Sequence, residues 1–202
     1  IIAAEGDIFC AGADLRREES ESNVPKLEGS DDISLMLRHL YKPVICKIQG
    51  SVLAGALLMV TNSTHAVAVQ EAKFSAPEIL RGLWPHMVMA GLFRVMPKRA
   101  GLDFVMRGQS IDAKQAKEWG LINEFVRAEE LDDYVNKLSE ELASLAPGTM
   151  SFGLEAYEKQ DAMAFDEALP FLQKQIAKTF EGPDAKEGIA AFLEKRKPNW
   201  DK

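Results

Sequence analysis

Three short apolar runs rich in β-branched residues, at 1–4, 44–48 and 66–69, constrain this chain more than any other feature. Turn-forming residues bound each run, as they bound buried strands. Helical patterns lie between. Residues 31–41 place Ile33, Leu35, Met36, Leu37 and Leu40 behind Asp31, a candidate N-cap, and residues 54–61 are apolar on every side, so a helix there is buried. Strands alternating with helices predict an α/β core. From Pro97 onward helical stretches dominate, at 98–107, 112–119, 129–146, 151–160, 165–180 and 184–195, with a brief strand near 122–126.

With 202 residues, 47% hydrophobic and 27% charged, the chain has material for one substantial core, with or without a small appendage. Its net charge of -7 argues against a surface that tracks phosphates, so no nucleic-acid partner is expected. Cys10 and Cys46 stand in unrelated contexts without a second Cys or His at ligand spacing, which predicts neither a disulfide framework nor a metal site. No apolar run approaches the ~18 residues that span a bilayer, and the start lacks a secretory pattern. These features suggest a soluble cytoplasmic protein and suit a processed organellar one equally. The first residue is Ile1, and the expectation is that a natural N-terminal portion precedes it. Segment 16–30, with four Glu, two Arg and no periodicity, reads as a mobile solvated loop, either an inert surface or a lid.

Two segments share one physical design. Phe9-Cys10-Ala11-Gly12-Ala13-Asp14 follows a strand; Gly50-Ser51-Val52-Leu53-Ala54-Gly55-Ala56 follows another and opens a helix. Small residues admit close approach of a ligand to the backbone, and the first N–H groups of a helix lack partners. Two such turns aimed at one point can hold a developing oxyanion; each alone is equally a packing device. Glu78, in Phe74-Ser75-Ala76-Pro77-Glu78-Ile79-Leu80, is a carboxylate among apolar neighbours. It reads either as a desolvated general base or as a loop residue with its head in water.

In this order and spacing the motifs resemble the enoyl-CoA hydratase/isomerase (crotonase) family over nearly the whole chain. Phe9 to Leu15 is similar to the first oxyanion motif and Lys42-Pro43-Val44-Ile45 through Leu53-Ala54-Gly55-Ala56 to the second. The resemblance implies that the N–H groups of Ala13 and Gly55 bind a thioester oxygen, with Ala11 and Gly12 beside the substrate. Pro77-Glu78-Ile79 with Gly82-Leu83 is similar to the segment carrying one family carboxylate. Arg107-Gly108, Ala113, Ala116 and Gly120-Leu121-Ile122 resemble the region after it, and the ending from Glu187 to Pro198 is also of the family type. The implied fold is α/β, a spiral core of ββα turns over 1–126 and a helical trimerisation region over 127–202. The implied assembly is a homotrimer or a dimer of trimers. The implied ligand is an acyl-CoA thioester, with coenzyme A as part of the substrate and no further cofactor; the segment near Lys195 and Trp200 either covers CoA or is a plain terminal helix.

Two departures direct the functional expectation. Family hydratases use two glutamates, and the first of those positions, three residues after Gly55, is Leu58. A leucine neither takes a proton nor holds water. Where a Gly-rich stretch is usual after the Pro, this chain has Trp84-Pro85-His86-Met87-Val88-Met89-Ala90, whose bulk and apolarity predict a drier pocket. Leu58, Trp84 and His86 are therefore substrate-binding candidates, although a lone His between Pro and Met is more often a surface or satisfied core residue. The stretch Met87, Met89 and Met96 is core or an acyl-chain wall. Asp14 is expected to anchor its loop, and His39 and His65 receive no role. A lone carboxylate suits a double-bond shift in an enoyl-CoA; the alternatives are hydration, another thioester-enolate reaction such as decarboxylation, or a non-catalytic or RNA-binding homologue.

Overall fold

The computed structural model describes residues 1–13 and 32–200. The expected cap at Asp31, the anchor at Asp14 and the loop over 16–30 lie outside the described residues. The chain divides into two compact units, Ile1–Leu37 with Pro43–Lys137, and Arg38–Lys42 with Leu138–Lys202.

The first unit contains two sheets of short strands. One runs β1 (Ile8–Cys10), β3 (Ser51–Leu53), β5 (Lys73–Ser75) and β6 (Ile111–Asp112), the first three parallel and the last antiparallel. The other is wholly parallel, in the order β2 (Ile45–Ile48), β4 (His65–Val69), β7 (Glu124–Val126). Parallel neighbours need crossovers, and those between β3 and β5 and between β4 and β7 include the helices α2 (Leu57–Asn62), α3 (His86–Val95), α4 (Lys98–Arg107) and α5 (Ala113–Glu118). Asp112 Oδ1 accepts the Gln115 N–H at 2.8 Å and caps α5. Short α1 (Ile33–Arg38) begins where Asp32 Oδ1 accepts the Ser34 N–H at 2.8 Å.

The runs at 44–48 and 66–69 become β2 and β4, whose alternating and continuous apolar side chains, Ile45, Ile48, Val67 and Ala68 among them, are buried. The first run differs from expectation. Only Ile2 pairs there, bridging to Cys46. The strands that carry the two small-residue turns are β1 and β3, each three residues long. Three residues cannot display a period-2 pattern, which is why sequence periodicity passes over them. Helix α3 is a second departure: a Pro-flanked, Met-rich stretch that packs on α2 and α4.

Cys46 is fully buried on β2, its thiol pushed up to about 11 by burial; Cys10 ends β1 and is half-buried, and both are free.

The second unit is helical. It contains the end of α6 (Leu131–Ala143), then α7 (Pro147–Gln160), α8 (Phe165–Glu181) and α9 (Pro183–Leu193), the last three packed on one another. Arg38 Nε donates to both carboxylate oxygens of Glu158, at 2.8 and 2.7 Å, and Nη2 donates to Asp161 Oδ2 at 3.1 Å. Hydrogen bonding to Glu158 raises its pKa further. After α9 the chain turns back: the Trp200 indole N–H donates to the Ser144 carbonyl at 3.0 Å, and Glu187 Oε1 accepts the Asn199 N–H at 2.7 Å.

Phe74 holds the site-bearing sheet together. It pairs with Val52 on one side and Ile111 on the other and is fully buried. Phe74→Ala is expected to lower unfolding free energy by about 3–5 kcal/mol, the usual cost of truncating a buried phenylalanine. Denaturant unfolding monitored by far-UV circular dichroism measures it.

Candidate active site

Strands β1, β3 and β5 lie side by side and run in one direction, so their carboxyl ends share one edge. Three loops leave that edge in succession. Ala11-Gly12-Ala13 follows β1, a 3-10 turn over Ala54–Ala56 follows β3, and a second 3-10 turn over Pro77–Arg81 follows β5. The crevice outside the carboxyl ends of parallel strands is where α/β sheets place ligands.

The first two loops meet at Gly12. Its φ of +86° is open to glycine, and a methyl placed there would lie 3.0 Å from the Leu53 carbonyl oxygen and 3.1 Å from the Gly55 nitrogen. A Cβ on Gly55 would in turn stand 4.0 Å from the Ala13 nitrogen. The two predicted donors are thus neighbours. Neither N–H has a hydrogen-bond partner among the described residues, since Gly55 is in the first turn of its 3-10 segment, where no intrahelical acceptor exists.

Both loops and the Glu78 turn border a cavity of about 480 Å³. Ala11, Ala13, Gly55, Leu58, Glu78, Trp84 and His86 all line it. Gly12 does not; it packs behind, against the second loop. Leu58 lies in the first turn of α2, half-buried. Glu78 is half-buried, and its Oε2 is buried without a hydrogen-bond partner among the described residues. The turn that carries it is fixed at its end by Gly82, at φ +71°, with the Leu83 N–H donating to the Glu78 carbonyl at 3.0 Å. Gly108, at the end of α4, sits so close that a methyl there would lie 2.8 Å from Ile79 Cγ2. Buried Ser75 donates its hydroxyl to the Gly108 carbonyl at 3.3 Å.

The far wall is apolar. The Trp84 indole N–H points to Met89 Sδ at 2.9 Å, which orients the ring, while Met87 lines the cavity and Met96 belongs to the core. His86 opens α3, exposed to solvent with its ring unpartnered among the described residues. His39 lies 6.0 Å from the Tyr41 ring, and burial holds His65 below the usual imidazole range. Neither borders the cavity.

The family described as enoyl-CoA hydratase/isomerase matches the chain over residues 1–202. The chain belongs to the enoyl-CoA hydratase/isomerase family. It is an acyl-CoA enzyme of that family with the crotonase-type α/β fold. It is 32% identical over 215 residues to a probable enoyl-CoA hydratase of Bacillus subtilis, covering 99% of this chain and 80% of that one. It is 31% identical over 214 residues to the mevalonyl-coenzyme A hydratase sidH of Aspergillus fumigatus, covering 99% and 76%. Among solved structures it is similar to an enoyl-CoA hydratase of Mycobacterium smegmatis, with a TM-score of 0.89 at 28% identity over 99% of this chain and 79% of that one. Relatives from Rattus norvegicus and Dictyostelium discoideum are named mitochondrial. Among the described residues no helix is long and apolar enough to cross a membrane.

Sequence reasoning passed over Arg81, which also borders the cavity, as do Leu83, Pro85 and Val88 from the stretches read above. The spacing from Glu78 to Arg81 was the available signal: it is one full 3-10 turn, but a 3-10 turn is not separable from a loop by composition.

Gly12→Ala is expected to cost about 1–2 kcal/mol through its left-handed backbone and to displace the second loop. Denaturant unfolding, with the backbone amide resonances of Ala13 and Gly55 as local probes, checks both. Unmoved Gly55 resonances would contradict the packing described.

Proposed function

We propose that this protein shifts a carbon–carbon double bond in an enoyl-CoA thioester, with Glu78 as the single proton shuttle. The carrying observation is that Glu78, with a buried carboxylate oxygen that has no partner among the described residues, lines a cavity in which the position of a second family glutamate is occupied by Leu58.

The chemistry follows from these parts. With 3-enoyl-CoA bound, the thioester oxygen lies between the N–H groups of Ala13 and Gly55. Glu78 takes a proton from C2. The C–H electron pair forms a new C1–C2 double bond as charge moves to the thioester oxygen, giving a dienolate. The same carboxyl then returns its proton to C4, the double bond settles between C2 and C3, and Glu78 is a carboxylate again. No oxidant, reductant or cofactor beyond the substrate's own CoA is consumed. A preorganised backbone donor contributes on the order of 10²–10³ in rate, and a positioned general base about 10²–10⁴. Hydration by two carboxylates would need a second group to position water, and Leu58 offers none.

Hydration is the second reading, favoured by relatives named hydratases. Assays of the full chain with 3-enoyl-CoA and 2-enoyl-CoA separate the two. Isomerisation of the former is expected to fall about 10²–10⁴-fold in Glu78→Gln, with little hydration of the latter. Hydration of 2-enoyl-CoA at a rate untouched by Glu78→Gln would sink the shuttle assignment.

The assembly we propose is a homotrimer or a dimer of trimers. Phe165, Phe180, Phe192 and Leu193, all on α8 and α9, are 74%, 61%, 81% and 72% exposed, more apolar surface than a solvated face of a monomer ordinarily carries. Sedimentation velocity at micromolar concentration is expected to give a mass three or six times that of the chain; a stable monomer would refute the assembly.

A further inference from the structure

The cavity has an unusual charge arrangement. Among the described residues its lining is apolar except for Glu78, Arg81 and His86. Glu78 and Arg81 belong to the same 3-10 turn, Pro77–Arg81, in which side chains three residues apart eclipse and their Cα atoms stand about 6 Å apart along the axis. They leave the turn on one side, yet they do not neutralise each other. The Arg81 guanidinium has a single hydrogen bond among the described residues, from Nη1 to the Pro77 carbonyl at 3.3 Å, and Glu78 Oε2 has none. A guanidinium held only by a long bond to a carbonyl is a strong donor with most of its valence unused.

We infer that Arg81 reads a second carboxylate on the acyl group, so that the preferred substrate is the CoA monothioester of a short dicarboxylic acid. The inference rests on the proposed function, because it takes the cavity beside Glu78 as the acyl site. A planar guanidinium matches a carboxylate with two parallel N–H···O bonds, which a lysine would not reproduce. It also answers an electrostatic difficulty: an acyl chain that carries a free carboxylate and enters beside the Glu78 carboxylate is repelled unless a cation lies within one turn of it. Arg81 lies at that distance. His86, on the cavity wall with its ring unpartnered among the described residues, adds a second donor to the same space. The phosphates of CoA are the other anionic source. The long pantetheine arm separates them from the thioester, whereas Arg81 is one turn from the base that acts beside the thioester.

Calorimetric titration of the full-length chain with two saturated, unreactive thioesters tests this: the CoA monothioester of glutaric acid and pentanoyl-CoA, equal in carbon count. The native protein is expected to bind the diacid thioester about tenfold or more tightly than the monoacid, the range of a charge-assisted bidentate contact. In Arg81→Ala that ratio is expected to fall to about one; in Arg81→Lys it falls partway, and methylation of the distal carboxyl abolishes it in the native protein. Absence of any preference in the native protein would overturn the assignment. An equal loss for both thioesters in Arg81→Ala would also overturn it, placing Arg81 on the CoA moiety. The ligands do not react, so absence of isomerisation with 3-enoyl-CoA would sink the shuttle alone and leave this ratio readable.

Discussion

The close backbone approach between the loop after β1 and the loop after β3 is the contact on which the site depends. A side chain at Gly12 would crowd the Leu53 carbonyl oxygen at 3.0 Å and the Gly55 nitrogen at 3.1 Å, so that the second loop would have to give way. Parallel pairing of β1 with β3 brings the loops to one edge, and the absence of a methyl lets them touch. Two backbone N–H groups without hydrogen-bond partners among the described residues then stand side by side. Neither depends on a side chain, so the arrangement tolerates the substitutions that distinguish this chain around it, including Ala54 and Ala56 on either side of Gly55.

Glu78 owes its place to different physics. Strand β5 continues the parallel order, and Phe74 anchors it between Val52 and Ile111, so the next residues emerge beside the two donors. The turn is short, begins at Pro77 and closes on Gly82, and Gly108 supports it from below at a distance that no larger residue would allow. A carboxylate held on so tight a turn brings its neighbour one turn on to the same wall. That coupling of Glu78 to Arg81 links the proposed base to the proposed reader of the acyl group.

Helices α2 and α3 supply the apolar side. Leu58 comes from the first turn of α2, and Trp84, with Met89 as partner for its indole N–H, precedes and meets α3. The same two helices pack directly on one another, so the chemistry of the wall and the packing of the core are set by one set of residues. In the second unit the binding role raised for Trp200 has a structural counterpart: its indole donates to Ser144, and the ring lies against Gly188, where a Cβ would meet it at 3.3 Å.

Much of this was legible in the sequence, for stated physical reasons. The runs that became β2 and β4 are apolar and β-branched over four or five residues, long enough to display a strand pattern, and α4, α5 and α9 lie within stretches read as helical. Ala13, Gly55, Glu78 and Leu58 were identifiable because their roles depend on residue type at fixed spacing from a glycine or proline. The tertiary structure alone decided the rest. Strands of three residues, such as β1 and β3, carry no period of their own and exist only through their neighbours. Helix α3 lies where Pro85 and a run of methionines give a mixed signal. Arg81 became visible only when the segment after β5 closed into a 3-10 turn, because the direction of a side chain is set by backbone winding, and residue identity does not encode it. The sequence by itself determined which backbone groups and which carboxylate were available; the parallel order of β1, β3 and β5 decided that they meet.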